Sequence, residues 1–155
     1  MTTATFNLLA IKNFDRAVTK AHWRDWFSQL VKKNNNLISL EEIRQTLPFK
    51  GQRYVGFQFV PVMNIVGSEG RHRDFDRAFF PRQSHSKSRW VSIDTAHYKA
   101  VALPPVELVK IDEVYFVMDG NHRISVARAR GQEFIDAYVT EIDTIVSLKI
   151  SDFEK

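Results

Sequence analysis

The chain contains no cysteine. This absence excludes disulfides, cysteine-ligated zinc, iron–sulfur clusters and any thiol nucleophile, whatever the fold. No apolar run reaches the roughly 18 residues of a transmembrane helix. The first residues, MTTATFNLLAIKNFD, also lack the basic region and the small-residue cleavage site of a signal peptide. We therefore expect a cytoplasmic protein without a membrane partner.

Signs of disorder are also missing from the composition. Of 155 residues, 44% are hydrophobic and 26% are charged, which is ordinary for a soluble protein. A chain of this length buries roughly 68–70% of its unfolded surface on folding. The sequence therefore predicts one folded unit that needs no covalent staple.

The excess positive charge lies in a single segment. The net charge is +4, and the segment 71–89 accounts for it with five Arg and one Lys against two Asp. Such a segment is either a solvated basic loop or a surface that faces the phosphates of a nucleotide or a nucleic acid. It also contains His72 and His85, whose spacing to other histidines does not suggest a transition-metal site.

A helix is predicted over residues 13–33, with Asn13 as its N-cap. Two groups of residues recur at helical spacing: Phe14, Ala17, Val18 and Ala21, then Trp23, Trp26, Phe27 and Leu30. The two tryptophans suggest a substantial buried face, and a base-stacking platform is the alternative.

A short second helix and a long extended stretch follow. Ser39 and Glu42 have the spacing of a capping box, and Leu47-Pro48 ends the helix. The next stretch, FKGQRYVGFQFVPVMNIVGS, has strand composition, and Pro61 limits part of it to a sheet edge or a strand end.

The second half of the chain reads as alternating helices and strands. The pattern predicts a helix over 88–98, a hairpin of strands 106–111 and 114–118, a helix over 122–130 that ends before Gly131, and a strand over 134–141. The fold class is therefore α+β.

The segment DGNHR (119–123) is the best candidate for a site, because it joins a strand to a helix. A helix N-terminus offers free backbone N–H groups and a partial positive charge, so it binds phosphate readily. Gly120 lets an anion approach the backbone, and Arg123 can donate two hydrogen bonds. The alternative is a plain turn with a surface arginine.

With its flanks, LPPVELVKIDEVYFVM and ISVARARGQEFIDAYV, this segment resembles the ParB/sulfiredoxin-like superfamily. VPVMNIVGSEGRHRDFD (60–76) is similar to the opening of ParB N-terminal domains, so that the resemblance covers roughly 57–142. It implies a small mixed sheet with packed helices over 57–145, preceded by a helical N-terminal extension (1–56) and followed by a C-terminal tail (146–155).

Comparison of the DGNHR turn with those of individual members limits which of their activities the resemblance implies. Sulfiredoxins have their catalytic cysteine at the position of Asn121, so their activity is excluded. ParB proteins that bind CTP have Gly-Glu-Arg-Arg, and the Glu is absent here. The Asp-Gly-His-His-Arg turn of free serine kinases is the most similar.

The resemblance implies a nucleoside di- or triphosphate as ligand, with or without Mg²⁺. The residues expected to bind it are Gly120, Asn121, His122, Arg123, Arg73 and Ser68, and Gly67 could add a loop donor. A carboxylate would activate a hydroxyl or water, or hold the Mg²⁺. The candidates are Asp119, Asp76, Glu69 and also Asp74. Alternatively, Asp119 fixes the turn and Asp76 forms a surface ion pair with Arg73 or Arg77.

Two classes of function remain open at this point. One is a nucleotide-dependent phosphotransferase or nucleotidase. The other is a regulatory module that binds DNA or a nucleotide without turnover, with nucleic acid contacting the segment 71–89. A nuclease has the least support, because the sequence shows no cluster of carboxylates for two metal ions. The oligomeric state is left open.

Overall fold

The computed structural model describes residues 1–71 and 73–153, and all statements on the fold refer to them. They form four helices and six strands, which confirms the α+β class. In chain order these are α1 Thr3–Leu30, β1 Ile38–Ser39, α2 Leu40–Thr46, β2 Phe49–Pro61, β3 Ile65–Ser68, α3 Lys87–Tyr98, β4 Val106–Ile111, β5 Val114–Asp119, α4 Asn121–Ala129 and β6 Phe134–Thr144. None of these helices is both long enough and apolar enough to cross a membrane.

The six strands form one mixed sheet in the order β1-β3-β5-β4-β6-β2. Strands β1, β3 and β5 are parallel to one another, and β4 is parallel to β6. The pairs β4–β5 and β2–β6 are antiparallel. The short β1 and the long β2 are therefore the two edges of the sheet.

Side chains alternate across the central strands, so both faces of the sheet are buried. One face, with Leu108 and Val117, packs under α4 and the aromatic residues Phe75 and Phe79. The opposite face, with Phe116 among others, packs against α2 and the end of the chain. A further layer forms where α1 packs on α3.

The predictions for the second half of the chain are confirmed. The helix α3 and the strands β4, β5 and β6 lie where the pattern places them, with ends that differ by at most three residues. Strands β4 and β5 form the expected hairpin. Gly131 follows α4 with a φ of 68°, the left-handed conformation of a helix end.

The start of α1 differs from the prediction. The helix begins at Thr3, ten residues before Asn13, and Thr2 is its N-cap, whose side chain accepts a hydrogen bond from the Thr5 amide. Asn13 lies inside the helix, and its Nδ2 donates to Asp94 Oδ2 and to Tyr98 Oη, both at 2.8 Å. The prediction of an N-cap at Asn13 is therefore wrong, because this polar side chain joins α1 to α3.

The buried face of α1 is also only partly as predicted. Small residues and one phenylalanine form its packed stripe: Ala10, Phe14, Ala17 and Ala21. Trp23 and Trp26 are 64% and 54% exposed, and Phe27 and Leu30 are exposed as well. The stripe of α1 that faces the protein continues after Ala21 with polar residues, so the prediction of a second buried aromatic face is wrong.

The first 56 residues form part of the sheet as well as helices. Ser39 is the N-cap of α2, but its side chain makes no capping hydrogen bond. Strand β2 begins at Phe49 and pairs with β6 on both sides of the boundary expected between residues 56 and 57. Pro61 is the last residue of this edge strand, as predicted. The last two residues of the expected tail 146–155 lie outside the described residues.

Candidate functional site

The first turn of α4 begins directly after a glycine in the left-handed conformation. Strand β5 ends at Asp119, and Gly120 has a φ of 112° before α4 starts at Asn121. A Cβ on Gly120 would lie 2.5 Å from Cγ1 of Val106 on the adjacent strand. Glycine is therefore required here both by the left-handed φ and by the close approach of Val106.

Two other chain segments come to the same end of the sheet. Strand β3 runs parallel to β5, and the Glu69 amide donates to the Val117 carbonyl at 2.9 Å, which holds the loop after β3 beside the Gly120 turn. Helix α3 lies alongside α4 in the same direction. Trp90 Nε1 donates to Ser125 Oγ at 2.9 Å, and Arg130 Nη1 donates to Asp94 Oδ1 at 2.7 Å. The N-termini of both helices therefore lie at this end.

His122, in the first turn of α4, has a pKa that is set by its burial and by the charges around it. Its side chain is 6% exposed, and its ring meets the ring of Phe75 edge-on at 5.4 Å. The pKa of His122 is lowered to about 4, mainly by burial and then by the nearby positive charges of Arg89 and Arg71, while Asp74 acts in the opposite direction. His122 is therefore neutral at pH 7.

We call Arg71, His85, Arg89 and His122 the basic cluster. Asp74 is the carboxylate beside it, with Oδ2 at 3.7 Å from Arg71 Nη1 and 3.6 Å from His85 Nε2. Arg71 and Arg89 are exposed, one in the loop after β3 and the other in the first turn of α3. Both are in the basic segment 71–89, whose charge was the only sequence signal for them.

Arg123 is bound by the protein itself. Its Nη1 donates to the carbonyls of Pro104 at 2.5 Å and Pro105 at 3.1 Å. Its Nη2 donates to Asp119 Oδ2 at 2.9 Å, and the side chain is 14% exposed. These bonds connect the Gly120 turn to the segment before β4. Asp119 thus has the turn-fixing contact that was the alternative to a catalytic role.

Asn121 is buried, and its Oδ1 has no hydrogen-bonding partner among the described residues. Ser68 is fully buried at the end of β3, and its hydroxyl is 2.6 Å from the Gly70 carbonyl oxygen, to which it donates. Gly67 lies below it, where a Cβ would clash with Phe116 and the backbone of Ile38. Ser68 and Gly67 therefore determine the conformation of the loop after β3, which lies beside the Gly120 turn.

The side chains of Arg73 and Glu69, the remaining candidates, contact other parts of the chain. Arg73 lines a cavity with Asn36, Glu42 and Arg77. The exposed Glu69 side chain lies 3.9 Å from Arg44.

Asp76 is fully buried, and the protein itself supplies the partners of its carboxylate. Its Oδ1 accepts from the amides of Ala78 and Phe80, and its Oδ2 accepts from Arg24 Nε at 2.8 Å. The expected surface ion pair with Arg73 or Arg77 is therefore replaced by a partly buried pair with Arg24 of α1. No local pattern in the sequence indicates this contact between residues 52 positions apart.

The structure assembles no metal site from the residues that it describes: no three His, Asp or Glu side chains come together there. His72 lies outside the described residues. Comparisons with protein-family models, with curated proteins and with solved structures find no match to this chain. The resemblance to the ParB/sulfiredoxin-like superfamily therefore stays a prediction, and the function is argued from the site alone.

Proposed function

We propose that the chain binds a nucleotide through its phosphates, at the first turn of α4. The observation that supports this most is that Arg71 and His85 both lie within 4 Å of Asp74, close enough to His122 for their charges and that of Arg89 to lower its pKa. Excess positive charge at a helix N-terminus favours an anion, and free backbone N–H groups supply directed donors. In this proposal Arg71 and Arg89 take the phosphate contacts that the sequence assigned to Arg73 and Arg123.

The unpartnered Oδ1 of Asn121 supports a nucleotide over inorganic phosphate. A buried acceptor without a donor is costly, so such an atom is commonly satisfied by a ligand or water. Most oxygens of a bound phosphate are acceptors, whereas ribose hydroxyls and base amino groups supply the donors that this atom needs. A nucleotide carries both the anion for the basic cluster and a donor for Asn121.

Asp74 gives a reason to test turnover as a second function. Its carboxylate is close to both Arg71 and His85, and its charge acts on His122. A carboxylate and a neutral imidazole beside a phosphate site are groups that could accept and return a proton. Phosphoryl transfer or hydrolysis is therefore the reaction class to assay, with Asp74→Asn as the variant that should lose turnover but retain binding.

The decisive experiment is thermal unfolding of the chain with ATP, ADP, CTP, GTP and AMP, each with and without Mg²⁺. A ligand at 100 times its dissociation constant stabilises a protein by about 2.7 kcal/mol. We expect a selective shift that is lost in Arg89→Met and kept in Lys50→Met, which removes an exposed cation from the β2 edge. A shift that survives Arg89→Met, or no shift with any nucleotide, would overturn the proposal.

A further inference from the structure

A second basic region lies at the opposite end of α4. A cavity of about 440 Å³ is bounded by the end of α1, the segment before β1, the end of α4 and the C-terminal segment. Four of its lining residues are cations: Arg24, Lys33, Arg77 and Arg128. Arg128 is seven residues beyond Asn121 on α4, about 10 Å along the helix. This cavity is therefore separate from the basic cluster.

The positive charges in this cavity have little negative charge close to them. Asp76 is the carboxylate behind them, and it is already bonded to Arg24 and to two backbone amides. The Nε atoms of Arg77 and Arg128 are buried and have no hydrogen-bonding partner among the described residues. Burial lowers the pKa of both guanidinium groups. Arg128 also donates from Nη1 to Met63 Sδ at 2.8 Å and from Nη2 to the Ile65 carbonyl at 3.3 Å, so its guanidinium lacks a partner only at Nε. A bound anion would offset the cost in stability of these buried, unpartnered donors.

The rest of the lining indicates an organic ligand. Ile38, Met63, Ile150 and Phe153 supply an apolar wall on which a carbon skeleton can pack. The amides of Asn34 and Asn35 border the cations. The volume lies within the range of sites for small molecules, about 300–1,000 Å³. Arginines suit phosphate because their planar groups donate two parallel hydrogen bonds.

We propose that this cavity is a second anion site, which binds the phosphate group of a small phosphate monoester through Arg77, Arg128 and Lys33. The apolar wall holds the organic part of the ligand. Arg24 contributes positive charge but remains bonded to Asp76. This site does not depend on the nucleotide site at the first turn of α4, because the two share no side chain.

Phenyl phosphate is a suitable probe, with sodium chloride at equal ionic strength as the reference. We expect it to raise the Tm of the unaltered chain by several degrees at millimolar concentration. Arg77→Met should abolish this shift and, in chloride alone, raise the Tm, because it removes a half-buried cation whose buried Nε has no partner among the described residues. Lys33→Met changes an exposed residue, so it should fold normally and weaken the shift.

Two control variants separate this proposal from the nucleotide site. Arg53→Met removes an exposed cation at the β2 edge and should leave the shift unchanged. Arg89→Met should also leave the phenyl phosphate shift unchanged, although it abolishes nucleotide binding. The proposal is overturned if the shift persists in Arg77→Met and Lys33→Met, or if it is lost only in Arg89→Met. A fall in Tm of Arg77→Met in chloride would likewise contradict it.

Discussion

Arg123 is joined to Asp119 across the Gly120 turn by a hydrogen bond of 2.9 Å between Nη2 and Oδ2. The same guanidinium holds the carbonyls of Pro104 and Pro105, which belong to the segment before β4. The arginine that the sequence singles out as a phosphate ligand therefore closes the loop around the turn. A ligand that recruited Arg123 would have to replace three existing hydrogen bonds.

We accordingly expect Arg123→Ala to lower stability. Loss of the guanidinium leaves the partly buried carbonyl of Pro105 and the exposed carbonyl of Pro104 without their charged donor, at a cost of about 1–3 kcal/mol in the free energy of unfolding. Urea denaturation of both proteins measures this difference. Arg53→Ala, which breaks an exposed ion pair with Glu141, is the control and should change stability by less than about 1 kcal/mol. If Arg123→Ala kept its stability but lost nucleotide binding, Arg123 would be a ligand-binding residue after all.

Gly120→Ala tests the turn itself. Its φ of 112° is strained for any other residue, and the new Cβ would meet Val106. We expect a loss of about 1–3 kcal/mol in unfolding free energy, together with weaker nucleotide binding. Gly51→Ala is the matched control, because a Cβ there meets nothing within 4 Å. Equal stability of the two variants would show that the turn tolerates a side chain.

The sequence was sufficient for α3, β4, β5, α4 and β6 because their signals are local. Apolar residues recur at the period of each element, and Gly120 and Gly131 mark the turns where φ is positive. The helix–turn geometry at 119–123 could be predicted for the same reason.

The partners of the charged side chains could not be predicted in this way. Whether Arg71 or Arg73 faces His122 depends on the path of an irregular loop, and Asp76 is bonded to Arg24, 52 residues away. In α1 the alanines mark the packed stripe because they allow α3 to approach closely. Tryptophan content therefore misled the assignment of its buried face.

The lowered pKa of His122 makes stability depend on pH. The unfolded chain has a histidine of pKa 6.5 and the folded chain one of about 4, so the unfolded state binds more protons between these values. The free energy of unfolding should therefore increase as the pH rises from 4 to 6.5 and stay level above. His122 can contribute up to about 3 kcal/mol to this increase.

His122→Gln isolates that contribution. Urea unfolding at pH 4.5, 5.5 and 7 should show a smaller pH dependence in the variant, with the remainder including His97, whose pKa is also lowered by burial. In the unaltered chain, a bound phosphate should raise the pKa of His122, which a proton NMR titration with and without nucleotide detects. An identical pH dependence in the variant would mean that His122 is not the group responsible.

Asp76→Ala is expected to be among the most destabilising single changes. The substitution leaves the amides of Ala78 and Phe80 buried without an acceptor and Arg24 without its partner. A loss of about 3 kcal/mol or more follows. Thermal unfolding measures it against Asp143→Ala, an exposed position. A variant of normal stability that has lost catalysis would support the catalytic role first assigned to Asp76.

Substitution of each of the three tryptophans should lower stability according to how deeply that residue is buried. Trp90 is fully buried, packs edge-on against Phe14 at 5.6 Å and donates to Ser125, so Trp90→Phe should cost at least about 2 kcal/mol. Trp23→Ser and Trp26→Ser change exposed residues and should each alter stability by no more than about 0.5 kcal/mol. Acrylamide should quench the fluorescence of Trp23 and Trp26 strongly, because both rings are open to solvent. Protection of these two residues in the unaltered chain, lost on dilution, would instead show that another copy covers this face of α1.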